Sequence, residues 1–217
     1  TGIAAHYCGN PMMDNLIWSG QTFGFTKNTD IIGILPGSRK ESYKNLLHIL
    51  KVIEALNYKN PNIRYLLAKA KSFDLKTLQE KLANTPWTLN SKNILQHKNK
   101  TISIIISEDF ADIVHVSKTL VGLSGTANEQ AIYLGKQVLC FEGFGPQTTK
   151  LRFSEQKKLL GNNLTFIDDR SPSNIANILI QKLTETKNTT PATTHQNASQ
   201  NIISHIASSQ DKSSFSN

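Results

Sequence analysis

Ile31-Ile32-Gly33-Ile34-Leu35 is a short run with no polar residue to turn toward water. A strand with one wet face alternates, so an unbroken run of this length fits a parallel strand buried on both faces. Further strands are expected near Ile63–Ala68, Thr101–Ile106, Thr119–Leu123 and Val138–Phe141. Helical periodicity separates them. Leu46, Ile49, Leu50 and Ile53 fall on one face of a helix from about Glu41 to Leu56. Other helices are expected near Leu75–Ala83, Phe110–Val116, Asn128–Leu134 and Thr148–Leu160, the last capped by Gly161. Ser173 is placed to cap one more, through Leu183. This alternation predicts an α/β fold: a doubly wound, mostly parallel Rossmann-like sheet with ligands at the carboxyl ends of its strands.

Three segments follow from the chain's texture. Residues 1–29 read as an inter-domain junction and lead-in: residues 3–8 look like the end of a strand, and Asn10-Pro11 imposes an extended or turning backbone. Residues 30–183 carry the βα rhythm. Residues 184–217 are rich in Thr, Asn, Ser and Gln. They read as a polar linker, a short helix around Ile202, Ile203 and Ile206, and a disordered tail from Ser208. The chain opens at Thr1 rather than methionine and reads as part of a longer protein.

Lysine and arginine number 24 against 16 acidic residues, a formal charge of +8. The lysines are scattered, with no polybasic block or aromatic stripe, which argues against nucleic acid as a partner. A phosphorylated substrate or an anionic membrane surface fits the charge better. Cys8 and Cys140 share no metal-ligand spacing and read as reduced, mostly buried thiols of a cytoplasmic protein. No apolar run is long enough to span a bilayer, and no signal peptide is visible. The six histidines form no metal-binding pair. A Gly-x-Ser-x-Gly elbow, a Walker loop and a dinucleotide glycine fingerprint are all missing, which weakens hydrolase, nucleotidase and dehydrogenase readings.

Three turns remain, each following an expected strand and preceding an expected helix. In Pro36-Gly37-Ser38-Arg39, Gly37 permits a tight turn and Ser38 suits a helix cap or a phosphate oxygen. Arg39 offers a planar fork of donors for a pyrophosphate, and Glu41 is placed to accept from the helix's first N–H groups. In Ser124-Gly125-Thr126, small residues leave helix N–H groups open to an anion. Glu129, on the first helical turn, can accept from sugar hydroxyls. Gly143-Phe144-Gly145-Pro146-Gln147-Thr148 adds Gln147 and Thr148 as polar contacts for sugar or phosphate. An ordinary capped turn explains each alone. Two anion-ready turns at the carboxyl edge of one sheet point to a nucleotide-sugar site.

Gly9-Asn10-Pro11-Met12-Met13-Asp14, Leu35-Pro36-Gly37-Ser38-Arg39-x-Glu41 and Ser124-Gly125-Thr126-Ala127 together resemble the C-terminal half of lipid-A-disaccharide synthase. Its uncharacterised cyanobacterial relatives share more: the Gly-Thr-Ala-x-Glu-Gln-Ala pattern, Leu134-Gly135-Lys136, Gly145-Pro146-Gln147 and Gln156-x-x-Leu159-Leu160-Gly161. The resemblance covers most of residues 2–167 and implies the donor-binding half of a GT-B glycosyltransferase using a UDP-sugar, with no cofactor or metal. It implies diphosphate contacts from Ser124, Gly125 and Thr126, with Glu129 on the ribose and Gly37, Ser38 and Gln147 among the donor-binding residues. Arg39 would stabilise the leaving group. The acceptor site, lipid-linked or other, and the general base would lie in an N-terminal domain outside this chain, leaving these residues inactive alone. Gln137 stands where that family usually has proline. Residues 124–138 also resemble the non-hydrolysing UDP-sugar 2-epimerases, and a non-catalytic sugar-nucleotide-binding module is a third reading.

Overall fold

A computed structural model describes residues 5–98, 100–185 and 197–213, the side chains of 209–213 excepted. The chain divides into two compact units, Ile17–Pro191, and Thr1–Leu16 with Ala192–Asn217.

The larger unit runs β1 (Ile31–Leu35), α1 (Ser42–Lys59), β2 (Arg64–Ala68), α2 (Leu75–Leu82), β3 (Trp87–Leu89), β4 (Ile94–His97), β5 (Ser103–Ser107) and α3 (Phe110–Val116). It continues with β6 (Thr119–Gly122), α4 (Thr126–Tyr133), β7 (Val138–Phe141), α5 (Lys150–Leu160), β8 (Leu164–Ile167) and α6 (Pro172–Glu185). The eight strands form one sheet in the order β3-β4-β5-β2-β1-β6-β7-β8. From β5 to β8 every pairing is parallel, while β3 and β4 add an antiparallel edge. The fold is the expected doubly wound α/β sheet. The β3–β4 hairpin and β8 were not expected.

β1 is buried along its whole length, as its composition requires. Leu46, Ile49, Leu50, Ile53 and Leu56 of α1 are at most 1% exposed, and α6 packs beside α1 through Ile175, Ala176 and Leu179. A smaller cluster of Ile31, Leu66 and Ile113 is covered by Phe23 and Phe25 from the loop before β1. That loop is pinned by Ser19, whose N–H and hydroxyl donate to the Asp112 carboxylate at 2.7 and 2.9 Å. Helix α6 opens on Pro172, so Ser173 lies inside its first turn rather than at its cap.

In the smaller unit, Pro11–Met13 form a 3-10 turn opened by Asn10, whose side chain accepts from the Met12 N–H at 3.0 Å. The strand expected across residues 3–8 does not form over residues 5–8, which pair with no neighbouring strand. Helix α7 runs Ala198–Ser213, so residues 208–213, expected to be disordered, are helical. Residues 186–196 of the expected linker and 214–217 of the expected tail lie outside the described residues. Asp14 caps α7, accepting from the N–H groups of Ala198 and Ser199 at 2.9 Å and from the Ser199 hydroxyl at 2.6 Å. Those bonds, chiefly from Ser199, hold the Asp14 carboxyl below its ordinary 3.8.

Leu50→Ala is expected to cost about 2–5 kcal/mol in urea denaturation, against about 0.5 or less for Tyr58→Ala on the exposed face. Because the folded pKa of Asp14 is lowered, its contribution is present above the unfolded value and lost as pH falls through the folded one. Protection of the first-turn amides of α7, relative to their intrinsic exchange, is therefore expected to fall as pH drops below 3.8, and in Asp14→Ala at neutral pH.

Candidate functional site

The winding of the sheet reverses at β1, which pairs with β2 on one side and β6 on the other. Such a reversal leaves a crevice at the carboxyl ends of the two strands. Leu35 lies in register with Gly122, and the Leu123 N–H donates to the Leu35 carbonyl at 2.9 Å. The two exit turns therefore touch through backbone. Gly37 has a φ of +101°, and a Cβ there would stand 3.2 Å from the Leu123 carbonyl oxygen. Only glycine adopts that conformation without strain.

A third loop completes the cleft. Asn45, 2% exposed on α1, accepts from the Phe144 N–H at 2.7 Å through its side-chain oxygen. Its amide group donates to the carbonyls of Pro36 and Phe144 at 3.5 Å. Thr148 closes the loop on itself, its hydroxyl donating to the carbonyls of Phe144 (2.8 Å) and Gly145 (3.1 Å). The turns after β1, β6 and β7 thus enclose one cavity of about 180 Å³. Gly37, Ser38, Arg39, Ser124, Gly125, Thr126 and Gln147 all line it, with Glu41 as a carboxylate on the wall. The first turns of α1 and α4 and the loop leading into α5 open onto it, so backbone N–H groups and helix dipoles supply positive potential. Ligand pockets commonly run to roughly 300–1,000 Å³, so this is a small cleft, partly open to solvent.

Helix α4 begins after Gly125, which makes no side-chain cap, so Ser124 does not serve as one. Glu129 does not line the cavity. It sits on the first turn of α4, held through Oε1 by the Gln156 amide at 3.3 Å. Gln156 also donates to the Gly125 carbonyl at 2.9 Å and accepts from buried Asn128 at 3.3 Å. Ser38 does not cap α1 either. The helix starts after Glu41, whose side chain makes no cap bond and packs against Gly145 instead. Thr148 spends its hydroxyl on loop carbonyls. Asn45, Asn128 and Gln156 have no motif that marks them as site residues; each acts through buried contacts that local spacing does not encode.

Arg39 is exposed at the cavity edge, and Lys44 and Arg170 stand 5.9 and 5.8 Å from the Phe144 ring. Lys136 lies at the opposite, amino-terminal edge of the sheet. Its ammonium donates to the carbonyls of His115 and Ser117 at 2.7 and 2.9 Å, and burial holds its pKa down at about 8. Cys140 is buried, with its thiol pushed up to about 12, whereas Cys8 is only half-buried. Among the described residues no group of three His, Cys, Asp or Glu side chains is placed to hold a metal ion. None of their helices is long and apolar enough to cross a membrane.

The chain resembles several solved structures. A proposed UDP-N-acetylglucosamine 2-epimerase from Listeria monocytogenes superposes with a TM-score of 0.61 at 13% identity, over 94% of this chain and 53% of that one. The UDP-GlcNAc 2-epimerase of Neisseria meningitidis, bound to UDP-GlcNAc, gives 0.52 at 17% identity over 86% and 47%. The MnaA protein of S. aureus, solved with UDP, gives 0.50 at 16% identity over 85% and 47%. The fold is that of a GT-B Rossmann-like domain. At these identities the likeness establishes the fold alone, and the chain spans about half the length of these three structures. No protein-family profile matches the sequence, and no curated protein does so.

Close packing under the α4 turn gives a direct test. A Cβ on Gly122 would stand 1.9 Å from the Asn128 side-chain oxygen and 2.8 Å from Val138 Cγ1. Gly122→Ala is expected to cost about 2–3 kcal/mol in urea denaturation. Gly125→Ala, whose Cβ meets nothing within 4 Å, is expected to stay within about 0.5 kcal/mol. Equal effects of the two would show that Asn128 does not fill the space beneath Gly122.

Proposed function

We propose that the cleft binds the diphosphate of a UDP-sugar, and that this chain is the donor-binding half of a GT-B glycosyltransferase. The parent enzyme would move a hexosamine-type sugar to a lipid-linked or other acceptor, in the manner of lipid-A-disaccharide synthase. One observation carries the reading: three separate strand-exit turns converge on one cavity, with an exposed arginine at its edge.

The chemistry follows from that placement. When the bond between the anomeric carbon and the diphosphate oxygen breaks, negative charge collects on the diphosphate. Donors held in place before the reaction stabilise that charge most effectively. The N–H groups of the Ser124-Gly125-Thr126 turn are such donors, and the exposed Arg39 guanidinium adds positive charge at the cavity edge. Gln147 adds a neutral contact from the third loop, and Glu129, one turn along α4, reads the ribose hydroxyls. An inverting transfer also needs a base on the acceptor hydroxyl. That base and the acceptor site belong, in this reading, to a second Rossmann-like half. A lipid acceptor and the net charge of +8 favour peripheral contact with the cytoplasmic membrane face.

The resemblance of residues 124–138 to UDP-sugar 2-epimerases supports a second reading built on the same donor site. The two separate on one incubation: an epimerase converts UDP-GlcNAc without an acceptor, and a transferase does not. A module that binds the nucleotide without chemistry would do neither, even when joined to its partner half.

Calorimetric titration with UDP, and ADP as control, tests the site. Saturable, uridine-selective binding is expected. A charge-assisted hydrogen bond contributes about 1.5–3 kcal/mol, so Arg39→Ala is expected to weaken UDP binding roughly 10- to 100-fold. Glu129→Gln is expected to weaken it through the ribose. Unchanged affinity in both variants would refute the site assignment.

A further inference from the structure

Helix α5 sends one side chain back into the base of the α4 turn. Gln156 is 8% exposed, while its neighbours Glu155 and Lys157 face solvent. Its Nε2 donates one N–H to the Gly125 carbonyl at 2.9 Å and the other to Glu129 Oε1 at 3.3 Å. Its Oε1 accepts from Asn128 Nδ2 at 3.3 Å, and Asn128 also donates to the Gly122 carbonyl at 3.2 Å.

The polarity of this chain is forced. A backbone carbonyl and an ionised carboxylate only accept, so the Gln156 amide must turn its NH2 toward Gly125 and Glu129. Its oxygen then faces Asn128, which must present its own NH2. The Asn128 oxygen is left buried without a partner. That is the lesser cost: the opposite orientation would set it against two acceptor oxygens at once.

We infer that Gln156 is a positioning residue of the donor site, holding the Glu129 carboxylate and the Gly125 carbonyl in one fixed relation so that Glu129 meets the ribose hydroxyls while the Ser124-Gly125-Thr126 turn meets the diphosphate. The inference rests on the donor-site reading above. A half-exposed glutamate on a helix's first turn otherwise samples several rotamers, each solvated. The bond from Gln156 selects one. It occupies one of the carboxylate's roughly four lone-pair sites and leaves acceptor capacity for two sugar hydroxyls. Rotamer freedom is thereby removed before the ligand arrives, and this lowers the cost of binding.

The test compares UDP with 2′,3′-dideoxy-UDP on the whole chain, by calorimetry, for the unaltered protein, Gln156→Leu and Gln156→Asn, with melting temperatures recorded. The unaltered protein is expected to prefer UDP, since dideoxy-UDP has no hydroxyls for Glu129. Gln156→Leu is expected to weaken UDP about tenfold, the scale of one hydrogen bond to a charged group, and to leave dideoxy-UDP within twofold. The preference then collapses. Gln156→Asn keeps the amide but falls one methylene short of Glu129, and carries the test if the leucine variant fails to fold. In Glu129→Gln, adding Gln156→Leu is expected to change the preference by less than twofold, because both act through one contact. A purely structural glutamine would weaken both nucleotides alike, and that result overturns the inference. So does an unchanged preference in a variant of a protein that binds UDP, which leaves the donor site standing. Binding of neither nucleotide by the unaltered protein overturns the donor-site reading and this inference with it.

Discussion

The backbone contact between the ends of β1 and β6 is the constraint on which the rest of the site depends. Leu35 pairs with Gly122, and Leu123 donates back to Leu35, so the two strands end level. Neither following helix can then cover the other's turn, because the sheet winds away from this pair in both directions. A crevice is left whose floor is main chain. Gly37 makes the approach possible, and its positive φ aims the chain toward α1 without a Cβ striking the Leu123 carbonyl.

Rigidity at that floor comes from below. The α1 stripe of Leu46, Ile49, Leu50 and Ile53 seats the helix so that Asn45 stands at a fixed height and ties in the loop after β7. Asn128 and Gln156 do the same for the α4 turn from the side of α5. Both ties are amides buried among carbonyls, where a broken hydrogen bond costs more than in water. The three loops are thus less free than their glycine content suggests. A site fixed in advance can present its N–H groups to an anion without reorganising.

Much of this was legible from the residues. β1, β6 and β7 are short apolar runs buried on every residue, and their exit turns announce themselves through Gly, Pro and Ser. The edge hairpin was not legible. Trp87–Leu89 and Ile94–His97 are only three and four residues long and carry polar residues, and their strand state is set by pairing: β4 on β5, and β3 on β4. β8 is four residues behind a Gly-Asn-Asn turn, too short for a period to show. α7 reads as polar because its docking rests on Asp14, 184 residues away from Ala198. Within the site the same rule holds. Local turns were visible, whereas the amides of Asn45 and Gln156 work across 99 and 31 residues. Ser38 and Glu41 make no cap bond on α1, which begins only at Ser42, and α4 begins at Thr126, two residues before the expected Asn128.

The convergence of three turns is what joins fold to function here, and it is open to residue-level measurement. Amide NMR shifts recorded while UDP is titrated into the chain would report each loop separately. The expected result is perturbation at Gly37, Ser124–Thr126, Gly145 and Gln147 with one shared saturation curve, and silence at Lys136 on the opposite edge. Shifts absent from these loops, or saturating at different concentrations in each, would contradict a single diphosphate site.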